Sequence, residues 1–196
     1  MTPAARFIGE ADVAERHEIL VRAPAPLVFE VAEHFDMQAI PGVRAIFWLR
    51  SVVLRAGTRD SWRKDRGLVA ETAAMGWGSL LHEPGRLYVA GAVAQPWLAD
   101  VRFTSVSADD FAAFAAPDMV KIVWTIEAEP VGPALTRFRT ETRAVATDEP
   151  ARRKFRRYWR IFGIGIVLIR WLLLPAVRRE AERQYAVTCA SSPSPS

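Results

Sequence analysis

His17, His34 and His82 are the residues of this chain best equipped for acid–base or metal chemistry, and they fall on three separate stretches. None stands at HxxxH or HExxH spacing from another ligand, so no metal site is expected. Glu30, Glu33 and His34 gather carboxylates and an imidazole, with Glu30 and His34 one helical turn apart. They lie beside an apolar helix face, and read as a solvated surface. Ser79, in Gly76-Trp77-Gly78-Ser79, lacks the G-x-S-x-G setting of a nucleophile elbow. Gly163 and Gly165 follow no strand and have no third glycine, so they form no phosphate loop; they let a helix bend or another backbone approach. Cys189 is the single cysteine, which excludes an internal disulfide and a cysteine metal cluster. No catalytic residue, metal ligand or cofactor motif emerges.

What the spacing offers instead is an apolar pocket with sparse polar groups. Trp77, Tyr88, Gln95, Trp97, Trp124, Phe138, Thr140 and Thr142 are candidates for one concave sheet face, with Trp159 and Ile166 opposite them on a helix. Such a lining suits a lipid-like or polycyclic molecule, and the same alternation also fits an ordinary core.

The elements that must position these residues follow from periodicity. VAERHEILV, from Val13, alternates as a half-buried strand, with His17, Ile19 and Val21 on one side. LVFEVAEHF follows as a short amphipathic helix with Leu27, Val28, Val31 and Phe35 inward. VRAIFWLRSVVL fits helix or strand, and Thr58 to Gly67 reads as a loop. Glu71 to His82 is expected as a strand paired through the turn Glu83-Pro84-Gly85-Arg86 with Leu87 to Val93. DDFAAFAA gives one or two helical turns. Met119 to Ala128 and Leu135 to Val145 are strands; the second puts Phe138, Thr140, Thr142 and Ala144 inward and Arg137, Arg139, Glu141 and Arg143 outward.

From Thr147 to Tyr185 a single helix is expected, with Thr147 as N-cap and Pro150 in its first turn. Phe155, Trp159, Phe162, Ile166, Ile169 and Leu173 form its packing stripe. Between Ile161 and Leu174 the other faces are apolar too, interrupted by Arg170, so this part is buried all round or bound to lipid. The 17 residues from Ile161 to Val177 sit at the lower limit for a bilayer span, and a central arginine together with Gly163, Gly165 and Pro175 favours a monotopic or lid-like helix.

The 196 residues, 51% hydrophobic with seven Trp, fit a single domain with a large core. Residues 1–12 read as an N-terminal extension, 13–185 as the domain, and 186–196, ending SSPSPS, as a disordered tail. Met1 to Val13 shows no secretory signal, so cytoplasmic residence is the expectation, with membrane association open. Ala151 to Arg183 holds ten Arg or Lys against Glu180 and Glu182, a net +8 that leaves the rest of the chain at −4. This suits an anionic membrane surface or a solvated helix face; no nucleic-acid motif accompanies it, and oligomeric state is not readable.

HEILVRAPAPLVFEVAEHFD and VKIVWTIEAEPVGPALTRFRTETRAVATDEPARRKFRRYWRIFG, with the order strand, helix, antiparallel strands and long C-terminal helix, resemble the SRPBCC superfamily of START-like, Bet v 1-like and polyketide cyclase-like proteins. That resemblance implies an α+β helix-grip fold, in which a curved antiparallel sheet wraps the C-terminal helix and encloses an apolar cavity. It carries no catalytic signature. The richness of IGIVLIRWLLLPAV departs from the resemblance. The reading that follows is a non-catalytic module binding a hydrophobic small molecule. The alternatives are a cyclase- or hydrolase-type enzyme using Tyr88, Gln95, His17 or His82 in the same cavity, and a peripheral membrane protein anchored by residues 161–177.

Overall fold

Alternating residues dictate a two-faced sheet, and the computed structural model, which describes residues 1–37, 40–45 and 67–191, contains one. Its strands are β1 (Val13–Val21), β2 (Gly78–Glu83), β3 (Leu87–Ala94), β4 (Val120–Gly132) and β5 (Leu135–Ala146), all antiparallel, in the spatial order β1-β5-β4-β3-β2. Helices α1 (Ala25–Glu33), α2 (Leu68–Ala74) and α3 (Ala108–Phe111) interrupt the strands, and α4 (Glu149–Ser191) closes the chain. With α1 and α4 on the sheet's inner face, the architecture is the α+β helix-grip fold.

Cross-strand partners share a face, so the register identifies the inner one. Ile19 faces Phe138, His17 faces Thr140 and Glu15 faces Thr142; Thr142 in turn faces Trp124, and Thr140 faces Ile126, which faces Tyr88. The expected inward set of β5 lies here, with Phe138, Thr140, Thr142 and Ala144 all buried. The outer face is covered as well. A short 3-10 turn at Ala4–Arg6 and Phe111 of α3 pack with Ile8 against Leu80, Leu87, Val89 and Val123. This double cover explains why every residue of β3 is buried and its sequence, LYVAGAVA, shows no polar alternation.

Where the sequence misleads, the cause is local. Residues 71–77, expected as strand, begin inside α2, whose Thr72 hydroxyl donates back to the Leu68 carbonyl at 2.6 Å. The strand begins at Gly78. The turn at Glu83 to Arg86 closes as expected, Arg86 N donating to Glu83 O at 3.1 Å with Gly85 at φ 74°. Residues 41–45 are helical; the remainder of the ambiguous VRAIFWLRSVVL stretch and nearly all of the expected loop to Gly67 fall outside the described residues.

Asp148, not Thr147, caps α4. Its Oδ1 accepts from Ala151 N at 2.7 Å and its Oδ2 from Asp118 N at 2.7 Å. These two amides hold its carboxyl below the usual range. Thr147 is drawn away by Met119, whose carbonyl and amide both bond its hydroxyl, at 3.0 and 3.1 Å. The helix runs through Pro175 to Ser191, past the boundary expected at 185. The carbonyl that proline leaves unbonded belongs to Trp171, on the exposed side, where water can meet it.

Candidate functional site

Two apolar clusters fasten α4 to the sheet. Toward its start, α4 presses Phe155 onto Val120 and Ala144, with Trp97, Ile122 and Trp159 alongside. Toward its end Leu173, Leu174 and Val177 are buried with Phe138, Ile126, Tyr88 and α1. Between these clusters the facing residues Ile19, Trp124, Phe162, Ile166 and Ile169 all keep partial exposure.

Into that middle projects Arg170, 6% exposed, in phase with Ile166 and Leu173 on the sheet-facing stripe. Its Nη2 donates to the Thr142 hydroxyl, while its Nη1 is buried with no hydrogen-bond partner among the described residues. Burial pushes its pKa down to about 10, against the opposing pull of the Glu15 and Glu141 carboxylates, so it remains a cation at neutral pH. Beside it, β1 supplies Glu15 opposite Thr142 and His17 opposite Thr140. His17 Nε2 is also buried without a hydrogen-bond partner, the Glu15 carboxylate standing 3.8 Å away. Arg170 Nη1 on α4 and His17 Nε2 on β1 are thus two buried polar atoms without a hydrogen-bond partner among the described residues. An unmet buried N–H costs about 1–3 kcal/mol, more when charged.

The expected pocket residues divide across this frame. Tyr88, Trp124, Phe138, Thr140 and Thr142 share the concave face, with Tyr88 edge-on to Trp124 at 5.9 Å and to His82 at 5.5 Å. Burial raises the Tyr88 hydroxyl's pKa, partly offset by a hydrogen bond with Ser79. Trp159 and Ile166 lie opposite on α4, Trp159 within the cluster at the helix start. Trp77 packs at the edge of the main core, tilted against Phe103 at 5.0 Å. Gln95 and Trp97 have other employment: the Gln95 amide donates to the Asp118 carbonyl and carboxylate, both at 3.0 Å, and Trp97 lies beneath the Lys154 ammonium at 5.4 Å. Among the described residues no cluster of metal-ligating side chains forms.

An open groove of about 560 Å³ runs between α1 and the later part of α4. Val31, Phe35 and Ala176 line it together with Glu30, His34, Arg179, Glu180 and Arg183. The Glu30 and His34 pair sits here, its imidazole Nδ1 3.0 Å from the Glu30 carbonyl.

No family model matches the chain, and no curated protein does. Among solved structures, the Zhui aromatase/cyclase from Streptomyces sp. R1128 aligns at 16% identity over 92% of this chain and 99% of that one, with a TM-score of 0.32.

Proposed function

We propose that this protein binds a hydrophobic small molecule bearing an acidic head group, held between the sheet and α4 with its head on Arg170. The observation that carries this reading is the buried guanidinium whose Nη1 has no hydrogen-bond partner among the described residues, set between two apolar clusters. A carboxylate, enolate or phenolate would complete its hydrogen bonds and neutralise a charge that burial disfavours. The apolar body would lie along Trp124, Ile166 and Ile169, whose partial exposure leaves surface to cover.

Titration with palmitate and 1-naphthoate, followed by calorimetry and native mass spectrometry, tests this. Arg170→Leu should weaken the acids about 10- to 100-fold and leave the matching alcohols nearly unchanged. Absence of binding to all probes, or equal binding of acid and alcohol, would sink the proposal.

One observation favours a second reading, in which the same site is catalytic. His17 Nε2 is buried without a hydrogen-bond partner among the described residues, on a strand facing α4, an arrangement in which imidazole could move a proton while the Arg170 guanidinium stabilises an enolate. Turnover of an enolisable aromatic ketone that His17→Gln abolishes without changing its binding would separate the two.

A further inference from the structure

We propose that α4 docks on an anionic lipid surface, lying in the plane of the interface. Its outward stripe, Ile161, Ile164, Leu168 and Trp171, follows helical spacing, and these residues are 60%, 68%, 45% and 66% exposed. A helix buried in a protein core would hide them. Here the most apolar 18-residue window of α4, of mean hydropathy 1.9, is 28% buried.

The charges on this stripe fit one occupant. At helical steps before Ile161 stand Arg153 and Arg157, and Arg160 adjoins it; at helical steps after Trp171 stand Arg178 and Arg179. Arg153, Arg157, Arg160 and Arg179 have no acidic partner among the described residues, whereas Arg178 is paired with Glu182 at 3.1 Å, and Arg152 and Lys154, turned elsewhere, are paired with Asp12 and Asp118. Arg157, Arg160 and Ile161 also line a shallow hollow of about 300 Å³. Cations bracketing an apolar strip match phosphate headgroups above acyl chains. A second copy laid antiparallel on the stripe would instead bring arginines against arginines.

The helix lies on the membrane and does not cross it. Its other face is fastened along its length by Asp12 to Arg152 at 2.8 Å, by Thr142 to Arg170, and by the Arg22 amide to Glu182 at 2.9 Å. The exposed strip from Ile161 to Trp171 extends for only about 16 Å, roughly half a hydrocarbon core.

Co-sedimentation of the full chain with phosphatidylcholine vesicles, with and without phosphatidylglycerol, tests the proposal. Binding should require phosphatidylglycerol and weaken as salt rises. Brominated acyl chains should quench the tryptophan fluorescence in the wild type and much less in Trp171→Phe. Arg157→Gln with Arg160→Gln should lower vesicle affinity about 30-fold. Ile164→Ser with Leu168→Ser should abolish binding while the circular-dichroism melt is unchanged, since both positions are exposed. No co-sedimentation, equal binding to pure phosphatidylcholine, or a lipid-free dimer that the serine variants dissolve would each overturn it.

Discussion

Burying a guanidinium costs several kcal/mol, and at Arg170 the hydroxyl of Thr142 is its one hydrogen-bond partner among the described residues. Because its folded pKa is depressed to about 10, the stability penalty is in full force below that pH and lifts only as pH rises above it; its charge is constant across neutral pH. Glu71 presents the opposite case. It is 5% exposed, both carboxylate oxygens have no hydrogen-bond partner among the described residues, and burial, aided by the Asp36 charge, raises its pKa. A carboxyl raised in the folded state favours folding when protonated, an advantage lost as pH climbs through its folded pKa. Glu71→Gln should therefore raise the Tm at pH 7, and the gain should fade as pH drops toward and below 4.5, which thermal melts across pH would measure.

At the scale of elements, what was legible in the sequence depended on how many faces each element hides. β1, β4 and β5 present one face to the helices and carry Glu, Arg and Thr at alternate positions outside, so period two exposes them and places Phe138, Thr140 and Thr142 together. α2 was missed because its seven residues offer too few turns for a helical period, and two of its buried positions are Glu71 and Thr72. Arg170 was visible as an interruption of an apolar run, yet a charge there reads as outward-facing; its phase with Ile166 and Leu173 was the available signal for an inward side chain. Gly163 was expected to admit a bend or a neighbouring backbone. Its neighbour is the indole of Trp159, one turn earlier, whose ring atoms would lie 2.8 Å from any Cβ added there. Gly163→Ala should consequently destabilise the protein by about 1 kcal/mol, overpacking outweighing the gain in helix propensity, as urea denaturation would report.

For the molecule as a whole, the first residues serve as a cover for the back of the sheet. Ala4 and Ile8 are buried there, and Arg143 reaches across to the carbonyls of Ile8 and Gly9, the former at 2.7 Å. Deleting residues 1–9 should cost about 2–4 kcal/mol and expose Val89 and Val123, so calorimetry should show a lower Tm and size-exclusion chromatography should show self-association.

The pairing of β1 with β5 also governs how the molecule is made. Among the described residues the sheet neighbour of the first strand is the last strand, and just before β1 the carboxylate of Asp12 accepts from the amide of Ala146, 134 residues on. During synthesis β1 must wait for its partner β5 until nearly the whole sheet has left the ribosome. Only then can the inner face close, so folding is governed by a late, long-range loop closure and not by the early helices.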